Sequence, residues 1–218
     1  MILQKELTRD ERFKQAFEGV VLYGVAGTNG SGKDTVLEVM SECGFFTFNT
    51  GDALRHITKA VMGTTQRGGN ESPTGKIANA QRSLYDGGMV TLGMIEYWAQ
   101  VLHLPKELQP KGLVVGSIRA VGGVKTLKEF GGKLIVTNAS PEVRYQRLIN
   151  RGREYEKQIS FEQFIEEENA EMGVGEIDPT KFGMAEVITM GDIEIKNDQD
   201  EMDAFKANIK RQLGLLDG

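Results

Sequence analysis

Short apolar runs alternate with longer amphipathic stretches along this chain. The five runs that are short enough for buried strands lie at residues 20–25, 45–48, 113–115, 134–137 and, more weakly, 193–195. The stretches between them carry apolar residues at helical spacing. Strands that alternate with helices pair in parallel and receive helices on both faces of the sheet. The pattern therefore predicts an α/β fold with three layers and a five-stranded parallel sheet.

The same periodicity predicts elements at the two ends of the chain and in the gap between the second and third strands. Residues 4–17 have the spacing of an amphipathic helix, and residues 202–213 that of a closing helix. The long gap contains several helical patterns and one turn-rich loop, residues 67–75, with Pro73 and three glycines. Ser160 and Gln163 have the spacing of a capping box at the start of a further helix. Tyr97 and Trp98 lie in an apolar helical pattern, which favours core positions over base stacking.

Composition narrows the class of protein. The chain has 218 residues, of which 39% are hydrophobic and 26% charged, as expected for one globular domain over residues 1–218. A net charge of −5 argues against a general affinity for nucleic acid. One cysteine and two histidines exclude an internal disulfide and a Cys/His zinc cluster. Neither a signal peptide nor a membrane-length apolar run is recognisable, so we expect a cytoplasmic protein without membrane contact.

The stretch GVAGTNGSGKDT, residues 24–35, carries the clearest chemistry. Gly27, Gly32 and Lys33 satisfy G-x-x-x-x-G-K between a predicted strand and a predicted helix, where backbone N–H groups cradle phosphates and the lysine reaches the outer ones. The alternative is a glycine-rich turn with a solvated lysine. Asp34 stands where the common pattern has a hydroxyl for magnesium. The residues predicted to bind nucleotide are Gly27, Thr28, Asn29, Gly30, Ser31, Gly32, Lys33, Asp34 and Thr35.

The stretch NTGDALR, residues 49–55, resembles the Thr-Gly-Asp-x-Leu-Arg segment of adenylate kinases and related nucleoside monophosphate kinases. The resemblance implies a P-loop NTPase fold that uses ATP and Mg²⁺. It also implies that Thr50, Asp52 and Arg55 face the acceptor nucleotide, within an acceptor-binding insert at residues 49–110. Asp52 would hold the water shell of magnesium together with Asp34 and Thr35. The alternative from the residues themselves is that Thr50 or Asp52 is a helix N-cap.

After the third strand, the segment GSIR places Arg119 where the resembled kinases carry an arginine on the acceptor phosphate. Those kinases also have an aspartate near the metal at this point. This chain has Val114, Val115 and Gly116 before the arginine and no acidic residue.

Arginines recur along the predicted helix after the fourth strand. Arg144, Arg147 and Arg151 share one helical face. By the same resemblance, Arg147 and Arg151 would bind the donor and the transferring phosphate in a lid at residues 147–175. The interval from Arg153 to Ser160 is too short for inserted strands, so we expect a short helical lid. The alternative is a solvated basic face balanced by the acidic residues 162–171.

The order of these motifs also resembles a little-characterised group of adenylate-kinase-related P-loop proteins best known from archaea, in which Arg82 would be a further acceptor contact. We therefore expect a kinase that acts on small-molecule nucleotides. Two alternatives stay open: another acceptor, such as dephospho-coenzyme A or a nucleic-acid end, and a nucleotide-binding regulator that hydrolyses ATP slowly without an acceptor. A monomer and a homodimer are both compatible with the sequence. The predicted catalytic residues are Lys33, Arg119, Arg147 and Arg151.

Overall fold

The computed structural model describes residues 9–65, 72–84, 88–152, 159–173, 183–198 and 201–215. Five parallel strands form one sheet in the order β2-β3-β1-β4-β5. The predicted α/β class and all five strands are confirmed. The strands are β1 (Val21–Gly27), β2 (Phe46–Asn49), β3 (Gly112–Gly116), β4 (Lys133–Asn138) and β5 (Ile193–Lys196).

Helices surround the sheet, and a short 3₁₀ turn at Lys106–Leu108 precedes β3. The helices of the described residues are α1 (Arg9–Ala16), α2 (Lys33–Glu42), α3 (Thr50–Met62), α4 (Pro73–Leu84), α5 (Gly88–Gln100), α6 (Val121–Glu129), α7 (Pro141–Arg151), α8 (Phe161–Met172), α9 (Met184–Thr189) and α10 (Met202–Gln212).

Alternate residues of the central strands enter two different cores. Leu113 and Val115 of β3 pack in the core that α5, α6 and α9 cover, whereas Val114 packs in the core beneath α2 and α10. All three side chains have no exposed surface. A strand that is buried on both faces lacks an apolar–polar alternation and appears in the sequence as a continuous apolar run. The sheet therefore has helices on both faces, as the sequence predicts.

Two predictions within the insert region and at the chain start need adjustment. Residues 73–75, predicted as loop, are the first turn of α4. Ser72 accepts a hydrogen bond from Gly75 N at 3.1 Å, and Pro73 suits a first helical position because no N–H partner is needed there. Residues 67–71 lie outside the described residues. The predicted helix 4–17 is confirmed at residues 9–16, and residues 4–8 lie outside the described part.

Some predicted core residues lie at the surface. Tyr97 is 2% exposed, as predicted, but Trp98 is 38% exposed and packs edge-to-face with Phe13. In α10, Phe205 and Ile209 are buried, whereas Met202 is 55% exposed. Helical periodicity predicts which face of a helix is apolar, but it does not predict how much of that face a neighbouring helix covers. Among the described residues, none of the helices combines the length and the apolar character that membrane crossing requires.

Strand register brings the candidate residues to one edge of the sheet. Gly27 at the end of β1 pairs with Thr137 of β4, and Val25 pairs with Gly116 at the end of β3. The carboxyl ends of these three strands meet beside the start of α2. This is the edge at which open parallel sheets bind ligands.

Candidate active site

The loop between β1 and α2 has the backbone geometry of a phosphate cradle. Gly27 and Gly32 adopt φ values of 145° and 103°, a region that residues with a Cβ rarely occupy. A Cβ on Gly27 would lie 2.5 Å from the carbonyl oxygen of Thr137. Gly32 is the N-cap of α2, and no side chain caps that end of the helix. The first N–H groups of α2 therefore lack a side-chain acceptor from the N-cap residue, and an anion could satisfy them.

Buried polar side chains hold this loop from the far side. Ser31 Oγ donates to the carbonyl of Thr28 at 2.8 Å and lies 2.7 Å from Thr137 Oγ1. Asn197 Nδ2, just after β5, donates to the carbonyl of Ser31 at 3.0 Å. All four residues are at most 6% exposed. Satisfied buried hydrogen bonds fix a single loop conformation, so the cradle is formed before any ligand arrives.

Lys33, the first residue of α2, folds its side chain back onto the preceding loop. Its Nζ donates to the carbonyl of Thr28 at 2.5 Å, and the residue is 7% exposed. Burial, together with the nearby charges of Arg119 and Arg151, lowers the pKa of Lys33 to about 7 against the opposing effects of Glu171 and Asp34. A cation held in so unfavourable an environment gains most from an incoming anion.

Arg119 reaches the same loop from the end of β3. Its Nη2 donates to Asn29 Oδ1 at 3.0 Å, and its Nη1 donates to Glu171 Oε1 of α8 at 2.6 Å. Ser117, two residues earlier, has a left-handed backbone with φ 63°, a conformation that costs a non-glycine residue about 1 kcal/mol. Thr50 Oγ1 donates to the carbonyl of Ser117 at 3.1 Å and so helps hold this turn.

The three arginines of α7 point to three different surroundings. Arg144 is 5% exposed and forms a bidentate ion pair with Glu168 of α8. Arg147 donates to the carbonyls of Asn197 at 2.9 Å and Gly30 at 3.4 Å, and so braces the phosphate loop. Arg151 is exposed, near enough to act electrostatically on Lys33. The alternative of one solvated basic face is therefore wrong for Arg144.

The predicted acceptor residues lie along α3. Asn49, rather than Thr50 or Asp52, is the N-cap, because its side chain accepts from Gly51 N at 2.9 Å. Asp52 forms an ion pair with Arg55 one turn later. Thr50 is buried against the Ser117 turn, as described above. Arg82 lies on α4, and its side chain falls outside the described residues, as does the whole of Arg153.

Of the residues predicted around magnesium, Asp34 has the most suitable surroundings. Its carboxylate is exposed in the first turn of α2 and lies 3.5 Å from Asn49 Nδ2. Thr35 instead donates its hydroxyl to Met202 Sδ at 3.8 Å. Among the described residues, no three acidic, histidine or cysteine side chains cluster in the manner of a protein-only metal cage. Magnesium commonly keeps several waters and needs only one or two carboxylates, so Asp34 fits that kind of site.

The acidic residue that the resembled kinases carry before the arginine has no counterpart here, for a structural reason. Val115 has no exposed surface and packs in the same apolar core as Phe48 and Met94. At Gly116 a Cβ would lie 2.4 Å from Leu37 Cδ1. A carboxylate at Val115 would be buried among apolar groups, and even a methyl group at Gly116 would displace Leu37.

Three residues of the site were not predicted from sequence: Thr137, Asn197 and Glu171. Each carried a partial signal. Thr137 is a polar residue at the carboxyl end of a buried strand, and Asn197 directly follows β5. Glu171 lies in the acidic stretch 162–171, which the sequence suggested only as a balance for the basic face of α7, and its side chain is 22% exposed. No pattern in the sequence pairs Glu171 with Arg119, which lies 52 residues earlier.

Comparison with known proteins agrees with this geometry. No family model matches the chain. A UPF0200 protein of Pyrobaculum aerophilum is 29% identical over 192 residues, which cover 87% of this chain and 94% of the relative. A UPF0200 protein of Methanococcus vannielii is 28% identical over 193 residues, with 88% and 94% covered. The chain is thus similar to archaeal UPF0200 proteins along most of its length.

Among solved structures, a shikimate kinase from Bacteroides thetaiotaomicron superposes with a TM-score of 0.55. The superposition covers 91% of this chain and 99% of the kinase, at 14% sequence identity. At this identity the likeness concerns the fold alone. The order of strands and helices around the sheet is therefore similar to that of this shikimate kinase.

Proposed function

We propose that this protein is a Mg²⁺-dependent kinase that transfers the γ-phosphate of ATP to a nucleoside monophosphate. The observation that carries the proposal is the convergence of two cations on one loop, one from the start of α2 and one from the segment after β3. Lys33 bonds to the carbonyl of Thr28, and Arg119 bonds to the side chain of Asn29. Phosphoryl transfer needs positioning and positive charge more than acid–base chemistry, and this arrangement supplies both.

Each residue has a distinct task in this proposal. The N–H groups of residues 27–33 and Lys33 hold the donor phosphates, and Arg119 lies between donor and acceptor. Thr50, Asp52, Arg55 and Arg82 face the acceptor. Arg151 closes over the transferring group, while Arg147 keeps the loop in place through Asn197. Asp34, Thr35 and Asp52 would hold the water shell of Mg²⁺, and the ion would supply positive charge against the transferring phosphate.

A screen of ATP against the common nucleoside monophosphates tests the proposal. We expect one of them to be phosphorylated well above background ATP hydrolysis. Arg119→Met should lower kcat/KM on the order of 100-fold, the loss typical of removing one charge-stabilising donor. Arg211→Met, an exposed arginine on α10, is the matched control and should change little.

The outcome that contradicts the proposal is also clear. ATP binding by the unmodified protein is measured separately by calorimetry, with Lys33→Met as the variant that should lose it. If the protein binds ATP but phosphorylates none of the monophosphates, the nucleoside monophosphate kinase is refuted. Slow hydrolysis without any acceptor would then favour a regulatory ATPase, in line with the absence of a carboxylate at Val115.

A further inference from the structure

One face of α8 carries two carboxylates that pair with arginines of neighbouring elements. Phe164, Glu168 and Glu171 follow one another at spacings of four and three residues, so they share that face. Phe164 is buried, Glu168 pairs with Arg144, and Glu171 pairs with Arg119. The same helix thus contacts one arginine of α7 and one arginine of the loop after β3.

Glu171 sits among groups that suit a phosphate. Its Oε1 accepts from Arg119 Nη1 at 2.6 Å and from Asn29 Nδ2 of the phosphate loop at 3.4 Å. The carboxylate also acts electrostatically on Lys33, whose pKa it raises against the effect of burial. The Glu171 carboxylate thus has an arginine, a side-chain amide of the loop and the loop lysine around it. A terminal phosphate oxygen has similar neighbours in a P-loop enzyme.

The helix that carries Glu171 is firmly attached at its other contacts. Leu148, Ile159 and Phe164 form a small buried cluster between α7 and α8. Tyr145 donates its hydroxyl to the carbonyl of Ile159 at 3.0 Å, and Arg144 lies over the ring of Phe164 at 5.6 Å. Glu171, by contrast, lies in the last turn of α8 and is held by polar contacts at the site itself. Its carboxylate can therefore leave Arg119 while the body of α8 keeps its place on α7.

We propose that Glu171 is an internal anionic latch: in the ligand-free protein its carboxylate takes the place of a terminal phosphate on Arg119 and Asn29, and a nucleotide polyphosphate must displace it to bind. The inference rests on the proposed function in that it concerns the same phosphate site. Displacement exchanges one charge-assisted hydrogen bond of Arg119 for another, so the latch lowers apparent affinity without blocking the site. It also holds Arg119 beside the loop until a polyphosphate arrives.

Calorimetry with inorganic triphosphate tests the latch without any acceptor. We expect Glu171→Gln to bind triphosphate about threefold to tenfold more tightly than the unmodified protein, since the glutamine cannot compete as an anion. Glu166→Gln removes the same charge from an exposed position on α8 and is the matched control, with less than a twofold change expected. Equal tightening in both variants would reduce the effect to net charge and overturn the proposal.

Hydrogen exchange of residues 161–172 supplies a readout that does not depend on affinity. Triphosphate should accelerate exchange at the last turn of α8 in the unmodified protein, and Glu171→Gln should show the faster exchange without ligand. Glu171→Asp keeps the charge on a shorter side chain and should bind triphosphate with intermediate affinity. This variant tests the latch if the glutamine variant does not fold.

Two further outcomes separate this inference from the proposed function. If Glu171→Gln lowers kcat and does not tighten triphosphate binding, Glu171 positions Arg119 during the reaction and is not a latch. If it tightens binding while no monophosphate is phosphorylated, the latch stands and the kinase proposal fails.

Discussion

The ion pair between Arg144 and Glu168 offers the sharpest test of how the helices beside the site are held. The side chains are 6% and 12% exposed, and Nη2 of the arginine lies 2.7 Å from Oε2 of the glutamate. Arg144 is fixed further by its Nε, which donates to the carbonyl of Ala139 at 2.8 Å. Burial holds the pKa of the Arg144 guanidinium below its usual range, although the guanidinium stays charged near neutral pH.

Removing either partner leaves the other without its counter-charge, and the cost in free energy of unfolding differs between the two. Glu168→Gln leaves the cation of Arg144 buried, and removing one partner of a buried pair costs about 3 kcal/mol or somewhat more. Arg144→Met leaves the carboxylate of Glu168, which is 12% exposed against 6% for the arginine and can turn toward water, so we expect a loss of about 1–2 kcal/mol. The double variant Arg144→Met with Glu168→Gln should lose less than the sum of the single variants.

A double-mutant cycle measures this difference. Hydrogen exchange of residues 161–172 gives the local opening free energy of α8, and urea unfolding gives the global value. Lys206→Met serves as a control, because Lys206 pairs with Glu38 and Glu42 at the surface and such pairs contribute little. Equal losses in the two single variants that add up in the double variant would refute the argument from burial.

Three further changes test the site and the sheet around it. Burial lowers the pKa of Lys33 in the folded protein to about 7, so above that pH the unfolded chain binds more protons than the folded one. The free energy of unfolding, measured by urea titration, should therefore rise by about 1 kcal/mol from pH 7 to pH 8. Lys33→Met should abolish this rise. Val115→Asp should destabilise the fold by at least about 3 kcal/mol rather than restore a metal ligand; a stable variant with gained activity would contradict this. Although burial raises the pKa of Asp192, hydrogen bonds from Lys128 and Leu134 N hold it below its usual range. Stability from Asp192 is then lost as the pH falls through that pKa, and Asp192→Asn should weaken the acid-side loss of unfolding free energy, with an unchanged acid profile as the contrary result.

Local patterns predicted the elements of this protein well. The buried strands appear as apolar runs because both faces of the sheet are covered, and all five were recognised. The capping box of Ser160 and Gln163 is present at α8, since it depends only on residues three apart. The phosphate loop was recognised for a similar reason: Gly27, Gly32 and Lys33 are close in sequence, and their strand–loop–helix context is local as well.

Predictions weakened where the outcome depends on distant neighbours. Periodicity placed Arg144, Arg147 and Arg151 on one helical face. In the structure Arg144 pairs with Glu168, Arg147 donates to Asn197, and Arg151 is exposed. The first two surroundings are created by residues of α8 and of the segment after β5. Trp98 was assigned to the core because of its spacing, and only the extent of the neighbouring helices leaves its ring partly in solvent.

The sequence by itself determined the α/β fold class, the glycine-rich loop and the cations that suit a phosphate. These features follow from residues within about one element of each other, where spacing and backbone preference suffice. Only the tertiary structure decided that Asn197 braces Ser31 across 166 residues, that Glu171 faces Arg119, and that position 115 is closed to a carboxylate. Those contacts depend on which helices and strands meet at the carboxyl edge of the sheet, which chain packing determines and local periodicity does not encode.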